Sequence, residues 1–111
     1  MFCLSVIYPN GAGTHFDLDY YRSVHMPLVQ DRLGPGGLVR YELNRGVSGW
    51  PPDDSAPIVM ICDMFFESRD ALQAAFATHH AELTGDIPVY TNIRPTMLIS
   101  EVLDQPGVFA G

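Results

Sequence analysis

Apolar positions change their spacing several times along the chain, and each change marks a predicted element. Phe2–Tyr8 combines aromatic and β-branched residues and stops at "PNGAG", which indicates a strand followed by a loop. From Leu18 to Leu33, apolar residues recur at three- and four-residue intervals, the spacing of a helix that buries one face. Thr14 and Asp17 both offer N-cap chemistry before this helix, and the run "GPGG" ends it.

The second half of the chain continues with two strands, a helix and a last strand. Leu38–Val47 alternates loosely, whereas Ile58–Phe66 is a nearly continuous apolar run, which is typical of a strand covered on both faces. Ser68 is placed to cap the second helix. The residues of that helix that keep helical spacing are Leu72, Ala75, Phe76 and His79. The last strand is predicted from about Thr96 to Leu103.

The order β-α-β-β-α-β predicts an α+β, ferredoxin-like fold with one antiparallel sheet. A chain of 111 residues suits one such unit, so residues 1–111 are assigned to a single domain. The helices of this fold cover only one face of the sheet. Because the predicted strands carry apolar residues on both faces, a second copy of the sheet is the simplest cover for the other face. The sequence therefore predicts a homodimer.

Composition supports a partner subunit and limits the classes of function. Hydrophobic residues make up 47% of the chain and charged residues only 17%, an excess of apolar surface for a small domain. The formal net charge of −7 disfavours binding to the phosphates of nucleic acids. All six basic residues are arginines, and the absence of lysine excludes a lysine Schiff base.

Two features bear on the compartment. No stretch approaches the ~20 apolar residues of a membrane-spanning helix, and the N-terminal segment lacks the pattern of a signal peptide. Cys3 and Cys62 fall inside predicted strands, where a single thiol usually packs as a small hydrophobe, as expected in a reducing compartment. We therefore expect a cytoplasmic protein with no membrane partner.

Three stretches together resemble one known family. They are "SVIYPNGAGTHFDLDYYRSVHMPLVQDRLGP", "APIVMICDMFFES" and "GDIPVYTNIRPTMLISEV", and they resemble the EthD family, named for ethyl tert-butyl ether degradation. The resemblance implies a dimeric α+β barrel, in which two ferredoxin-like subunits press their sheets together. It implies a setting of oxidative degradation but no particular reaction, because barrels of this group include cofactor-free monooxygenases, isomerases and cyclases.

The stretch "YYRSVHMPL" holds the main candidates for chemistry. Tyr21 and His25 stand at i, i+4, so the imidazole lies one turn from the phenol, and the resemblance places His25 in the motif of the family. A histidine exchanges protons near neutrality and a phenol hydrogen-bonds oxygen, so we predict both as catalytic residues. Pro27 lacks an N–H and is expected to bend the helix, freeing the carbonyl of Ser23 beside His25. The alternative is that His25 only packs beneath the barrel.

Five further residues are predicted to contact a small hydrophobic organic ligand. They are Tyr20, Val24, Leu28, Asp63 and His79. The first three form the helical row next to His25, in a pocket between the first helix and the sheet. His79 continues the apolar row of the second helix.

Three polar residues outside the first helix have structural interpretations. Asp63 interrupts an apolar strand, and an ion pair with Arg40 or Arg45 is favoured over a role as a base or in orienting a histidine. Asp86 in "GDIP" is expected to make a turn hydrogen bond. Tyr90 is expected to pack at the sheet edge or the dimer seam.

No metal or other cofactor is predicted, and two functions remain. His79 and His80 are adjacent, so they point about 100° apart on a helix and do not form a metal-binding pair. The first function is a cofactor-independent oxidoreductase- or isomerase-type enzyme that acts on a small apolar oxygenated compound, with His25 as acid and base. The second is a non-catalytic ligand-binding or accessory protein of an oxidative degradation pathway. Haem binding by His25 is a third option.

Overall fold

The computed structural model describes residues 1–107, and its element order is the predicted one with one added short helix. The strands are β1 (Phe2–Pro9), β2 (Leu38–Arg45), β3 (Ile58–Phe66) and β4 (Thr96–Glu101). The helices are α1 (Leu18–Tyr20), α2 (Met26–Leu33), α3 (Arg69–Gly85) and α4 (Ile87–Tyr90). A π-helical turn, Tyr21–His25, joins α1 to α2, and a 3₁₀ turn, Gly34–Gly36, follows α2.

The four strands form one antiparallel sheet in the order β2-β3-β1-β4. β3 lies inside this sheet, between β2 and β1, which explains why its sequence is an almost continuous apolar run. The prediction of a ferredoxin-like α+β fold is confirmed by this topology. β2 and β4 form the two edges.

The core lies between the helices and one face of the sheet. Alternate residues of β1 and β3 point into it and form one cluster with residues of the helices. The strand members are Leu4, Val6, Tyr8, Met60, Cys62, Met64 and Phe66. The helical members include Tyr21, Met26, Val29, Leu33, Leu72 and Leu83. The hydroxyl groups of tyrosines in this layer, such as Tyr8 and Tyr21, therefore need hydrogen-bond partners within the layer.

The predicted first helix is present but interrupted by the π-helical turn. The N–H of Met26 bonds the carbonyl of Tyr21, five residues back, instead of the usual four. Pro27 lies in the first turn of α2, where a missing N–H costs little. The expected bend is thus a widened turn ahead of Pro27. Irregularities of this type are frequent at functional sites.

The caps that begin the helices follow the sequence. The Asp17 carboxylate accepts a hydrogen bond of 3.1 Å from the N–H of Tyr20, and Ser68 accepts one of 3.1 Å from the N–H of Ala71. These bonds fix the starts of α1 and α3. No helix within residues 1–107 is both long and apolar enough to cross a membrane.

Asp63 lies on the face of the sheet turned away from the helices, and its predicted ion pair is not formed. Its carboxylate accepts a hydrogen bond from the hydroxyl of Ser5, the residue directly opposite on β1. Arg40 pairs instead with Glu42 at 3.0 Å. Arg45 is in register with a core residue of β3 and so lies on the helical face. The prediction of either arginine as the partner of Asp63 is therefore wrong.

Candidate active site

A buried histidine of the first helical segment is held by a carboxylate that lies 61 residues further along the chain. His25 ends the π-helical turn, and its Nδ1 is 2.9 Å from Oδ2 of Asp86, which directly follows α3. The other oxygen of Asp86 accepts a hydrogen bond of 2.9 Å from the hydroxyl of Tyr20. Because a carboxylate only accepts, the proton of the imidazole sits on Nδ1, and Nε2 is left as an acceptor.

Two phenols extend this contact to β1. The hydroxyl of Tyr90, at the end of α4, lies 3.4 Å from Nε2 of His25 and 2.7 Å from the hydroxyl of Tyr8. Both tyrosines are fully buried, so their hydroxyls depend on contacts of this kind. The direction set at Asp86 assigns Tyr90 as donor to His25 and Tyr8 as donor to Tyr90. We call the row Tyr8, Tyr90, His25 and Asp86 the Tyr8–Asp86 chain.

Burial determines which groups of the Tyr8–Asp86 chain carry a charge at neutral pH. Desolvation lowers the pKa of His25 below its usual 6.5, although the hydrogen bond and the charge of Asp86 act in the opposite direction. At neutral pH, the contact between them is therefore a hydrogen bond from a neutral imidazole and not an ion pair. Desolvation raises the pKa of Tyr8 to about 12, and burial beside Tyr8 also raises the pKa of Tyr90. His25 is thus the free base of the site.

An apolar cavity lies between the helices and the sheet, and both His25 and Tyr8 stand in its wall. The apolar part of the wall includes Met26, Val29, Met64, Phe76 and Met97. The cavity is small, about 30 Å³, which is room for about two water molecules. An organic ligand fits there only if flexible side chains of the wall, such as its methionines, move aside.

Tyr21 packs against His25 and also lines the cavity. The two rings are nearly parallel, with centroids 5.5 Å apart and planes at 14°. Burial, the Cys62 thiol and the Tyr8 phenol together raise the pKa of the Tyr21 phenol far above its usual range. Tyr21 is therefore a neutral donor and a rigid stacking partner for the imidazole, and not a base.

The sequence of this chain matches one protein-family model. The model of the EthD domain matches residues 14–94, a range that contains His25, Asp86 and Tyr90. The chain belongs to the EthD family. Tyr8 lies before the matched range, so this member of the Tyr8–Asp86 chain comes from a part of β1 that the family model does not cover.

Solved structures agree with this assignment. An EthD-like protein from Ralstonia eutropha is 35% identical, with a TM-score of 0.86 over 95% of this chain and 94% of that one. An ethyl tert-butyl ether degradation (EthD) family protein from Bacillus halodurans is 20% identical, with a TM-score of 0.66 over 93% and 99% of the two chains. A dimeric ferredoxin-like protein from an uncultured marine organism is 14% identical, with a TM-score of 0.64 over 97% and 100%, and shares the fold. A comparison with curated proteins finds no significant match.

The helical row predicted to contact ligand is not gathered at the cavity of this EthD protein. Tyr20 joins the site through its hydrogen bond to Asp86. Leu28 is half-buried against the core but lies outside the cavity wall, and Val24 is 46% exposed. The reason is that the buried face of this segment is the neighbouring row Tyr21, His25 and Val29, so the row of Tyr20, Val24 and Leu28 lies at its margin.

Asp63 and His79 are also placed away from the cavity. Asp63 is on the opposite face of the sheet, bonded to Ser5. His79 is half-buried in a surface groove between α3 and the end of α2, beside Arg32. α3 presents Phe76 to the cavity, and His79 lies three residues further on, toward α2.

Sequence reasoning missed three members of the Tyr8–Asp86 chain. The turn bond expected of Asp86 leaves out its role as partner of His25, and the expected position of Tyr90 at the sheet edge or dimer seam is wrong. Asp86 and Tyr90 stand at i, i+4, and Tyr8 continues the buried alternation of β1 with a hydroxyl that needs a partner. Those signals are visible in the sequence, but nothing local indicates that the residues meet His25.

The site does not fit haem, and no metal cluster is evident in the described part of the chain. Iron would have to bind Nε2 of His25, which is buried and faces the hydroxyl of Tyr90 at 3.4 Å. The adjoining space of about 30 Å³ is also far too small for a macrocycle. Among residues 1–107, no three His, Cys, Asp or Glu side chains come together as potential metal ligands.

Burial lowers the pKa of His25 and Asp86 raises it, so removing the charge of Asp86 should change this pKa in a predictable direction. In an NMR titration, we expect the pKa of His25 to lie below 6.5 in the wild type and to be lower still in Asp86→Asn, because that variant removes the charge that favours the imidazolium. Asp70→Asn, at an exposed aspartate in the first turn of α3, is the control and should leave His25 unchanged. A higher His25 pKa in Asp86→Asn would refute this account of the site.

The hydroxyl of Tyr90 is predicted to stabilise the fold because it bridges two buried groups. Tyr90→Phe leaves Nε2 of His25 without its donor, and we expect the free energy of unfolding to fall by about 1–3 kcal/mol in urea denaturation. Tyr41→Phe is the matched control, since Tyr41 is half-buried and its hydroxyl makes no side-chain hydrogen bond among residues 1–107. Equal stabilities for the two variants would show that the bridge contributes nothing.

Proposed function

We propose that this EthD protein is a cofactor-independent enzyme that moves a proton on a small apolar compound carrying oxygen, with His25 as acid and base. The observation that carries the proposal is the Tyr8–Asp86 chain, in which a neutral imidazole is aligned by a carboxylate at the wall of an apolar cavity. The name of the EthD family, which refers to ether degradation, supports a place in oxidative catabolism.

The direction of the hydrogen bonds defines how a proton would travel. Nε2 of His25 accepts the proton of Tyr90 while Tyr90 takes that of Tyr8, and Tyr8 takes one from a substrate in the cavity. The imidazolium that results is stabilised by the Asp86 carboxylate. The reverse movement returns a proton to a different atom of the substrate, which is an isomerisation. If the deprotonated substrate instead gives its electron pair to molecular oxygen, the protonated product is a hydroperoxide. When the carbon that carries it holds another hydrogen, loss of water leaves a carbonyl group, so the substrate supplies all four electrons of a monooxygenase reaction.

The raised pKa values of the phenols restrict this route. Neither Tyr8 nor Tyr90 is stable as a phenolate near neutrality, so the protons of the chain must move together. The alternative within the same site is direct transfer to His25, which itself lines the cavity. In both routes, Tyr21 holds the imidazole by stacking and offers its hydroxyl to an oxygen of the substrate.

The size of the cavity favours a second candidate function. A space of about 30 Å³ beside a histidine that is only 5% exposed is small for turnover. In this second function, the protein is an accessory protein of an oxidative pathway, the cavity opens only to sequester a hydrophobic intermediate, and His25 stabilises the fold.

Hydrogen exchange distinguishes the two functions without knowledge of the product. We expect one or more members of a panel of ring ketones, quinols and lactones to exchange a carbon-bound hydrogen in heavy water, with a rate that falls at least about 100-fold in His25→Asn. The rate should rise with pH through the lowered pKa of His25 and then level off, because the neutral imidazole is the base.

His80→Asn, at an exposed histidine of α3, is the control for this experiment and should retain the exchange rate. Hydrogen exchange that persists in a folded His25→Asn variant would refute the proposed enzyme function. If no exchange occurs while calorimetry shows equal ligand affinity for the wild type and His25→Asn, the accessory function is supported.

We also infer that two copies of the chain pair through the sheet face turned away from the helices. Ile7 and Ile61, opposite each other on this face, are half-buried, and Leu98 is 52% exposed. A second sheet is the natural cover for such a surface, and the dimeric ferredoxin-like neighbour supports this arrangement.

The pairing is tested by placing one charge on each side of the subunit. Sedimentation equilibrium of the wild type should give the mass of two chains, and Ile61→Glu should give that of one, because a carboxylate would be buried at the seam. Val24→Glu places the same charge on an exposed position of the helical layer and should leave the dimer intact. A wild type that sediments as a single chain would refute the inference.

A further inference from the structure

A second, larger groove lies beside the His25 cavity and shares one wall with it. The groove has a volume of about 590 Å³ and runs between the first helical segment and the helical face of β2 and β3. This volume is within the range of about 300–1,000 Å³ found for small-molecule sites. Met26 lines both the groove and the cavity, so its flexible thioether side chain separates the two spaces.

The groove is apolar at its base and cationic at its mouth. The base is formed by the buried Met26 and Met60, with the half-buried Leu18, Tyr41 and Leu43 around them. Arg22, from the π-helical turn, and Arg45, at the end of β2, complete the lining, and both are exposed. None of the seven lining residues is acidic.

These two arginines have no carboxylate partner although acidic residues outnumber basic ones in the sequence. The chain has 13 acidic residues against six arginines, so carboxylate partners are plentiful. Arg32 and Arg40 each have such a partner, whereas Arg22, Arg45, Arg69 and Arg94 form no ion pair with any residue in the range 1–107. Of these four arginines, Arg22 and Arg45 line one groove together. Two positive charges thus line a groove that holds no carboxylate. The charge of the groove is therefore complementary to an anionic ligand.

We propose that this groove binds the carboxylate of a small organic acid, and that such an acid is the substrate of the His25 site. Arginine matches the planar carboxylate geometrically, and the apolar base accepts the hydrocarbon body that an inorganic anion lacks. Displacement of the Met26 side chain would let that body reach His25. The identity of the substrate rests on the proposed enzyme function, whereas the binding of the carboxylate does not.

Binding of benzoate, compared with its uncharged analogue benzyl alcohol, tests the groove directly. In NMR titrations of the wild type, benzoate should shift the methyl signals of Leu43 and Met60 and bind about tenfold more tightly than benzyl alcohol, because an ionised group strengthens the hydrogen bonds. Contacts between the benzoate ring and the Met26 methyl group are expected in the same spectra. Their absence would break the proposed link to His25.

Variants of Arg22 and Arg45 distinguish a specific carboxylate site from nonspecific electrostatic attraction of benzoate to the protein. Arg22→Gln and Arg45→Gln should each weaken benzoate about threefold without affecting benzyl alcohol, so that together they remove the tenfold difference and the double variant binds the two compounds alike. Arg69→Gln removes an exposed arginine at the start of α3, outside the groove, and should have no effect. Equal binding of the two compounds to the wild type, or an equal loss in Arg69→Gln, would overturn the proposal.

The two proposals fail in different ways. His25→Asn should bind benzoate as the wild type does, since His25 is not part of the groove lining. Benzoate binding without any His25-dependent exchange, on the uncharged panel or on ring ketones that carry a carboxylate, would refute the enzyme function and leave the groove as a carboxylate site. Hydrogen exchange on uncharged compounds that is unaffected by Arg22→Gln and Arg45→Gln would refute the organic acid as the substrate, whereas the proposed enzyme function would stand.

Discussion

The hydrogen bond between His25 and Asp86 is the contact on which the arrangement of the site depends. It joins the π-helical turn to the junction of α3 and α4, two segments that no local pattern brings together. With Asp86 fixed in this way, α4 carries Tyr90 into contact with Tyr8 on β1. The first helical segment, the second helix and the sheet are therefore linked by a single polar row in an otherwise apolar layer. A polar row of this kind has to be complete, because each buried member that lost its partner would be costly.

The sequence predicted what local patterns encode, and the strands show this most clearly. Ile58–Phe66 has its predicted bounds because an inner strand is apolar along its whole length. The last strand ends at Glu101 instead of Leu103: Glu101 pairs with Phe2, the first residue of β1, and one further bond of 2.9 Å, from the N–H of Val102 to the carbonyl of Met1, follows it. Edge-strand ends are thus set by the neighbouring strand and not by their own composition.

The candidate site was only partly predictable, for the same reason. Tyr21 and His25 are one turn apart, so their contact follows from spacing alone. Asp86 and Tyr90 lie 61 and 65 residues from His25, and only the folded topology brings them to its two ring nitrogens. Val24 was misplaced because apolar spacing alone does not decide which of two adjacent rows faces the core; the buried row is that of Tyr21 and His25, and Val24 is 46% exposed.

The π-helical turn has a consequence for how this site can vary. A wider turn accommodates one extra residue within a helix, so the residues after it keep their faces and only those within the turn are displaced. A relative of the same composition but one residue shorter between Tyr21 and Pro27 would present a different side chain to Asp86 while keeping its hydrophobic core. The length of this turn, as much as the presence of a histidine, thus decides whether a related sequence has the site. Alignments that tolerate a gap here will group proteins whose imidazoles face in different directions.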